Sequence, residues 1–247
     1  MLTPFSSTRR SLTLPLAGAV LVGTWLLVHA TNPVIPGPGA VVAAWLRLLH
    51  EGLLGRLWQS YTLNAYAIVI STVLACALAY AGTIPVLAPY TAFVSKLRFL
   101  GMTGIVFVLG MYCEGRALQV ALLVLGMGTF QTTAMDSVVA STPSGNLDHA
   151  RTLSMSPWRC LYEVVVRGTL DQAFDVLRQS AAIGWCLLTM VEGLVRSQGG
   201  VGVLLIDLNR RLQLDGIIAV IVTITLIGVI QDYLISQIRL VVCPYAK

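Results

Sequence analysis

The acidic, histidine and cysteine residues that could carry chemistry are scattered along this chain rather than grouped. The three histidines, His29, His50 and His149, lie far apart, and the five cysteines form no closely spaced pair. A metal site or a nucleophile with its base needs several such groups at one place. Glu192 lies inside an apolar run, without a paired His or Cys beside it. The pattern favours a protein that is not an enzyme and holds no metal or cofactor.

The composition indicates an integral membrane protein. Hydrophobic residues make up 56% of the 247 residues and charged residues only 11%, whereas a soluble domain carries about 25% charged residues. The length suits a single membrane domain, 1–247, of about five to seven helices. The net charge of +5 is not gathered into a basic stripe, so the bilayer is the expected environment and no nucleic-acid partner is predicted.

Apolar runs separated by proline, glycine and charged residues predict an all-α membrane protein with about six transmembrane helices. The expected segments are 12–30, 61–82, 99–113, 117–135, 180–195 and 216–234. Residues 40–57 place Val41, Trp45, Leu48 and Leu49 on one face, which predicts an interfacial helix. The first segment also resembles a secretory signal, but its long apolar run favours an uncleaved helix.

Six segments put both termini on the same side of the membrane. With the termini inside, the inner side carries ten of the 16 Lys and Arg residues, as the positive-inside rule prefers. This predicts an inner (plasma) membrane protein with cytoplasmic termini and a cytoplasmic loop at 141–179. The glycine-rich run 199–202 would be a flexible turn on the outer side, where Arg196 could suit an anion.

The loop contains a charged stretch, 146–168, whose pattern predicts two short amphipathic helices. Thr142-Pro143 and Ser156-Pro157 would begin them, because serine or threonine before proline suits a helix start. The apolar positions are Leu147, Ala150 and Leu153 in the first helix and Trp158, Leu161, Tyr162 and Val165 in the second. Apolar faces outside the bilayer usually dock on protein, so we expect a partner-binding element.

The stretch "DHARTLSMSPWRCLYEVVV" resembles the cytoplasmic signature of permease subunits of binding-protein-dependent ABC importers. That signature reads Glu-Ala-Ala, three residues, then Gly. The Glu position is Asp148 here, the two Ala positions are His149 and Ala150, the Gly is Ser154, and the proline that follows the Val run is Arg167. The segment "IPGPGAVVAAWLRLL" resembles the family's extracellular entry after its first helix, and residues 181–235 are similar to the end of the nitrate, sulfonate and taurine branch of the family.

The resemblance implies a permease subunit that forms half of a pathway for a small anion. It implies a homodimer, a separate ABC ATPase and an extracytoplasmic substrate-binding protein as partners. The ATPase would be met by a coupling helix with the residues Asp148, His149, Ala150, Arg151, Thr152 and Leu153. Glu192 is a candidate for the translocation pathway. The chain has no phosphate-binding loop of its own.

Two other classes are weighed against the importer. A membrane-embedded enzyme needs catalytic groups at bilayer depth, and a secondary transporter needs ion-coupling charges in mid-membrane and usually internal repeats. The sequence shows neither pattern, which favours the importer.

Overall fold

A computed structural model describes residues 23–25, 27, 29, 31, 35–84 and 86–244. This part of the chain is helical and contains no strand, which confirms the predicted all-α membrane fold. The α-helices are α1 (Pro38–His50), α2 (Leu53–Ala81), α3 (Ala88–Lys96), α4 (Met102–Leu109), α5 (Gly115–Ala140), α6 (Ser144–Thr152), α7 (Pro157–Cys160), α8 (Leu170–Leu194), α9 (Val201–Arg210) and α10 (Leu214–Val242). Most of the predicted segment 12–30 lies outside the described residues.

The predicted interfacial helix 40–57 is two elements. Helix α1 ends at His50, and Gly52 adopts a φ of 90°, a left-handed conformation that glycine reaches without steric cost. The chain turns there, and residues 53–57 already belong to α2, which therefore starts eight residues before the predicted 61. Helix α1 buries Val41 and Leu48 against α9 and α10, and the Trp45 indole donates a hydrogen bond to Thr223 (3.1 Å).

Helices α2, α5 and α8 pack together and form the main core. Leu63 and Ala67 from α2, Leu122 from α5 and Leu188 from α8 are all fully or almost fully buried at their contact. Helix α10 packs on α8 and α1 and leaves much of its surface exposed, as expected for a helix that faces lipid. Close packing of helices, rather than exclusion of water, holds such a core together inside a bilayer.

Helices α2, α5 and α10 run in one direction and α8 runs in the opposite one, and the subunit has two distinct ends. At one end, the last turn of α2 meets the start of α8: the hydroxyls of Tyr80 and Thr169 lie 3.3 Å apart. We call this the coupling end because α6 and α7 lie there. At the other, the far end, the Gln119 amide donates to the Val195 carbonyl (3.0 Å), and α9 packs over the end of α8.

The predicted segment 99–113 is not one continuous helix. Helix α3 is followed by a 3-10 turn that ends at Phe99. The next two residues, Leu100 and Gly101, are extended, and α4 covers only Met102–Leu109. The extended backbone at these two residues breaks the helical hydrogen-bond ladder. Both short helices pack on α5, and the Ser95 hydroxyl donates to Asp136 (3.2 Å).

Helix α8 starts at Leu170, ten residues before the predicted 180, so the loop at 141–179 is really 141–169. The apolar run alone sets the predicted start, but the first turns of α8 carry charged residues that pair with α10. Among the described helices, α2, α5 and α10 are long and apolar enough to cross a membrane. Helix α8 has 25 residues, but its polar side chains lower its hydropathy.

Candidate functional site

The segment between α5 and α8 contains the predicted coupling residues on a separate short helix, α6. The helix begins at Ser144, one residue later than Thr142-Pro143 predicts, and the buried Thr142 hydroxyl makes no hydrogen bond. Ala150 is buried against the rest of the subunit, while Asp148, His149 and Thr152 are exposed. The structure thus turns the polar residues of the signature outward; Arg151 belongs to α6 as well.

Helix α6 ends in a left-handed cap at Ser154. Ser154 has a φ of 53°, and the N–H of Met155 donates to the carbonyl of Ala150 (3.3 Å). A hydrogen bond across six residues around a left-handed residue is the Schellman motif, which usually places glycine at that position. The cap leaves Leu153 56% exposed just beyond the last helical turn.

The second predicted helix is present but has a different face. Ser156 caps α7 as predicted, because its side chain accepts a hydrogen bond from the N–H of Arg159 (3.4 Å). Residues Leu161–Val166 then form a π-helix. The extra residue in each π turn shifts the face, so Val165 is buried whereas Tyr162 is 57% exposed. The predicted single apolar face is therefore wrong.

Arg167 stands where the signature has a proline after the Val run, and its backbone N–H donates a hydrogen bond. The Arg167 N–H donates to the Tyr162 carbonyl (3.0 Å), a bond that proline could not make. The guanidinium also contacts the Tyr162 ring and pairs with Glu163 (3.1 Å). Arg167 thus closes the π-helix immediately before α8.

Three large apolar side chains are exposed along this segment: Leu153, Trp158 (73% exposed) and Tyr162. We call these three residues the coupling surface. Leu153 directly follows α6, Trp158 lies on α7 and Tyr162 lies on the π-helix, and α6 contacts the π-helix. A protein rarely exposes such residues together outside a bilayer unless they meet a partner, and aromatic side chains are typical anchors of interfaces.

Glu192, the other predicted site residue, lies at the far end and is 1% exposed. Its Oε1 accepts a hydrogen bond from the Ser60 hydroxyl (2.6 Å), and its Oε2 accepts one from the Gly202 N–H (2.8 Å). Ser60 in turn accepts from the Val201 N–H (2.9 Å). A carboxylate that takes up the first free N–H groups of a helix acts as an N-terminal cap. In this conformation Glu192 fixes α9 to α2 and α8.

The glycine-rich run 199–202 is predicted to be a flexible turn, but its last two residues already belong to α9, and Gly202 has a packing role. A Cβ on Gly202 would lie 2.3 Å from the Thr189 carbonyl oxygen of α8, so the close approach of α9 to α8 depends on this glycine. Arg196, considered above for anions, forms an ion pair with Asp207 of α9. The sequence shows the glycines but not the partners Ser60 and Thr189, which are far away along the chain.

Two cavities lie side by side on the face formed by α4, α5 and α8. The first, of about 400 Å³, is lined almost entirely by apolar residues, and the second, of about 310 Å³, is lined by α5 and α8; Arg98 and Phe130 line both. The Arg98 guanidinium stacks on Phe99 (5.0 Å) and forms no ion pair with any described residue. Within the described part of the chain, no three or more His, Cys, Asp or Glu side chains are grouped so that they could bind a metal ion.

The described helices share their fold with solved ABC transporter structures. Solved structures with this fold include the inward-facing MetNI methionine ABC transporter, with a TM-score of 0.63, 14% identity, and coverage of 81% of this chain and 98% of that one. An amino acid ABC transporter with histidines gives a TM-score of 0.61, 12% identity, and coverage of 79% and 95%.

The sequence assigns the family directly. Residues 83–240 match the model of the binding-protein-dependent transport system inner membrane component, so the chain belongs to this family of ABC importer permeases. It is a membrane transport subunit, separate from the ATPase of such a system. None of the curated proteins compared with the chain matches it in sequence.

Proposed function

We propose that two copies of this subunit form the pathway of an ABC importer for a small nitrate-, sulfonate- or taurine-like anion. Two separate ATPase subunits would bind at the coupling end, and a substrate-loaded extracytoplasmic binding protein would bind at the far end. The observation that carries the proposal is the short helix α6 with its exposed polar residues and the adjoining coupling surface. The family provides the class of transport; the anion, the pairing and the residue roles are proposals.

In this proposal α6 is the coupling helix, and Asp148, His149, Arg151, Thr152 and Leu153 contact the ATPase, whereas Ala150, also predicted to do so, is buried within the subunit. Ala150 holds α6 against the subunit because it is buried there, whereas Leu153 is free to enter a groove of the partner. The polar residues keep the helix solvated until it docks. Apolar burial at the interface then provides the affinity, so a push by the ATPase reaches the membrane helices through α6, the π-helix and α8.

Leu153→Asp tests the docking. A charge placed in a buried contact should cost about 2 kcal/mol, roughly thirtyfold in affinity. We expect the variant to reach the membrane and to pair normally but to co-purify with far less ATPase, and transport with substrate-stimulated ATP hydrolysis should fall together. Leu212→Asp is the matched control, since Leu212 is an exposed leucine at the far end. Normal recovery of ATPase with Leu153→Asp would contradict the docking role.

Arg98 supports the proposal of an anionic substrate. A guanidinium at the border of two cavities among membrane helices is costly to keep there, and such residues commonly mark the path of a substrate. Because Arg98 has no acidic partner in the described structure, its charge is available to a passing anion. Its position beside Phe130 and Ser180, on the face formed by α5 and α8, would suit a small oxyanion.

Uptake into proteoliposomes tests the substrate class. The permease, its ATPase and the binding protein isolated from the same cells would be reconstituted, and uptake of labelled nitrate, taurine and methionine would be compared. We expect nitrate or taurine uptake that falls in Arg98→Gln and is largely retained in Arg98→Lys. Uptake of methionine alone, unchanged by Arg98→Gln, would refute the anion while leaving the importer intact.

A further inference from the structure

Five charged side chains join α8 to α10 at the coupling end. Asp171, Asp175 and Arg178 come from the first turns of α8, and Asp232 and Arg239 come from the last turns of α10. We call these residues the ionic clamp. The residues on α8 follow the spacing i, i+4, i+7, and those on α10 are seven apart, so each set lies on one face of its helix.

Arg239 holds two acids of α8 at once. Its Nε and Nη2 donate to the two carboxylate oxygens of Asp171 at 2.6 and 2.9 Å, and its Nη1 donates to Asp175 at 2.6 Å. A two-bond contact between planar groups fixes orientation as well as distance. The side chains of Arg239 and Asp171 are partly exposed, at 22% and 25%.

Arg178 makes the same kind of contact in the opposite direction. Its Nε and Nη2 donate to the two oxygens of Asp232 at 2.8 and 2.7 Å. Asp175, 3.8 Å from Arg178, links the two contacts into one network. Each helix contributes one arginine, and each arginine makes two hydrogen bonds to an aspartate of the other helix. Helix α8 can therefore neither slide along α10 nor rotate against it without breaking several charge-assisted bonds.

The clamp begins at Asp171, two residues after the end of the segment 141–169 between α5 and α8, which we call the coupling segment. Helix α8 starts at Leu170, and the Thr169 hydroxyl donates to the Val165 carbonyl of the π-helix (2.7 Å), so the turn between them is tied at both ends. A displacement of α6 and the π-helix therefore reaches Asp171 first. The contacts of α8 and α10 farther from this end, such as Trp185 with Gln231 (2.8 Å), offer a single hydrogen bond.

We infer that Arg178 and Arg239 are positioning residues that make α8 and α10 follow the coupling segment as one unit. The inference rests on the proposed docking of an ATPase at α6. Without the clamp, a push on the segment would bend the start of α8 away from α10 and would not reach the far end, where α8 meets α9 through Glu192. Partly exposed ion pairs add little to stability, so loss of the clamp should uncouple the transporter more than unfold it.

The test compares Arg239→Gln with the charge-swapped pair Asp171→Arg/Arg239→Asp in the reconstituted complex. In Arg239→Gln we expect normal recovery of ATPase and normal hydrolysis without binding protein, but stimulation by loaded binding protein and substrate transported per ATP should both fall about fivefold or more. The swap restores a pair across the two helices and should recover most of both quantities. Arg47→Gln, which breaks an ion pair between α1 and α10 at the far end (3.5 Å), should keep normal stimulation.

Each other outcome refutes the clamp. Full stimulation in Arg239→Gln, no recovery in the swap, or an equal loss in Arg47→Gln would each show that the clamp does not transmit the motion. Loss of bound ATPase or of folded protein in Arg239→Gln would assign the residue to assembly instead. Failure of the proposed function is distinct, because the unaltered subunit would then recover no ATPase at all.

Discussion

At the scale of single residues, Ser154 shows how the chain departs from its family signature without losing the local structure. The backbone at Ser154 adopts the left-handed conformation that glycine would take in the signature. For a residue with a side chain this conformation costs roughly 1–2 kcal/mol. Ser154 therefore stores a small strain at the end of the coupling helix.

Replacing Ser154 with glycine should relieve that strain. We expect Ser154→Gly to stabilise the end of α6 by about 1 kcal/mol, because glycine is the preferred residue of this cap. Hydrogen exchange of the α6 amides, measured by mass spectrometry, should slow accordingly. Ser154→Ala keeps the steric penalty and should not slow exchange; equal slowing in both variants would contradict the explanation.

Glu192 is the second residue with a definite prediction. Its carboxylate accepts hydrogen bonds at both oxygens, from Ser60 and from the Gly202 N–H. Glutamine can accept at only one end, so either the bond from the Ser60 hydroxyl or the bond from the Gly202 N–H would be lost. We expect Glu192→Gln to lower the free energy of unfolding in detergent by about 2 kcal/mol.

Thermal unfolding followed by tryptophan fluorescence measures this loss. Glu51→Gln is the control, since Glu51 is an exposed glutamate at the same end of the subunit and should change little. An unchanged unfolding temperature in Glu192→Gln would mean that the capping bonds are replaced by others, and the pathway role proposed from the sequence would become the better explanation for this acid.

At the scale of elements, the contact of α9 with α8 depends on Gly202. Its Cβ position lies against the backbone at Thr189, which cannot move aside as a flexible side chain can. We expect Gly202→Ala to destabilise the subunit by about 2 kcal/mol through overpacking. Limited proteolysis should cut near α9 faster. Gly55→Ala is the control, because no atom lies within 4 Å of that Cβ position; equal sensitivity in both variants would refute the contact.

The sequence predicts the elements whose signals are local. Helix α6, the Ser156 cap and the long apolar helices follow from periodicity, capping residues and hydropathy, which act within a few turns. The start of α8 could not be found in this way, because the residues that extend it, such as Asp171, are polar and gain their stability from Arg239 on a distant helix. Hydropathy alone ends the helix where the charges begin.

The same limit explains the rest of the site. The π-helix depends on a hydrogen bond between Tyr162 and Arg167 that no composition rule indicates, so the predicted face of the second helix is wrong. Glu192 has two partners, Ser60 and Gly202, and they come from two other helices. For the ionic clamp, the sequence contains one signal, the i, i+4, i+7 spacing of Asp171, Asp175 and Arg178. This spacing does not reveal which helix the three residues contact.

At the scale of the whole molecule, the opposite directions of α8 and α10 lead to a prediction for the membrane orientation. Helix α10 is 29 residues long, about 43 Å at 1.5 Å per residue, which exceeds the hydrocarbon core of a bilayer. Its last turns bear the clamp and lie beside α8 near the coupling segment. If that segment docks on a cytoplasmic ATPase, the C-terminus is also cytoplasmic.

A reporter fused after Lys247 checks the orientation. An enzyme that is active only outside the membrane should give no signal there, whereas the same reporter inserted at Leu212, between α9 and α10, should be active. A strong signal after Lys247 would place the coupling segment outside and would remove the ATPase from the proposed function.

The two cavities lead to a prediction about assembly. They adjoin on one face of the subunit and share Arg98 and Phe130, and the α8 residues Met190 and Leu194 are exposed as well. A pathway with an arginine at its border needs a wall that keeps lipid away from the charge, since a guanidinium exposed to hydrocarbon is costly. In the proposed homodimer a second copy supplies that wall.

Native mass spectrometry of the purified complex should therefore show two permease subunits with two ATPase subunits. In the Leu153→Asp variant the ATPase should be lost while the permease pair remains, because the cavity face and the coupling surface involve different residues. Cross-linking through cysteines introduced at Phe130 should join two permease subunits, whereas cysteines at Val229, an exposed residue of α10, should not. A single permease subunit in the presence of the ATPase would contradict the pairing, and Arg98 would then need an acidic partner from another protein.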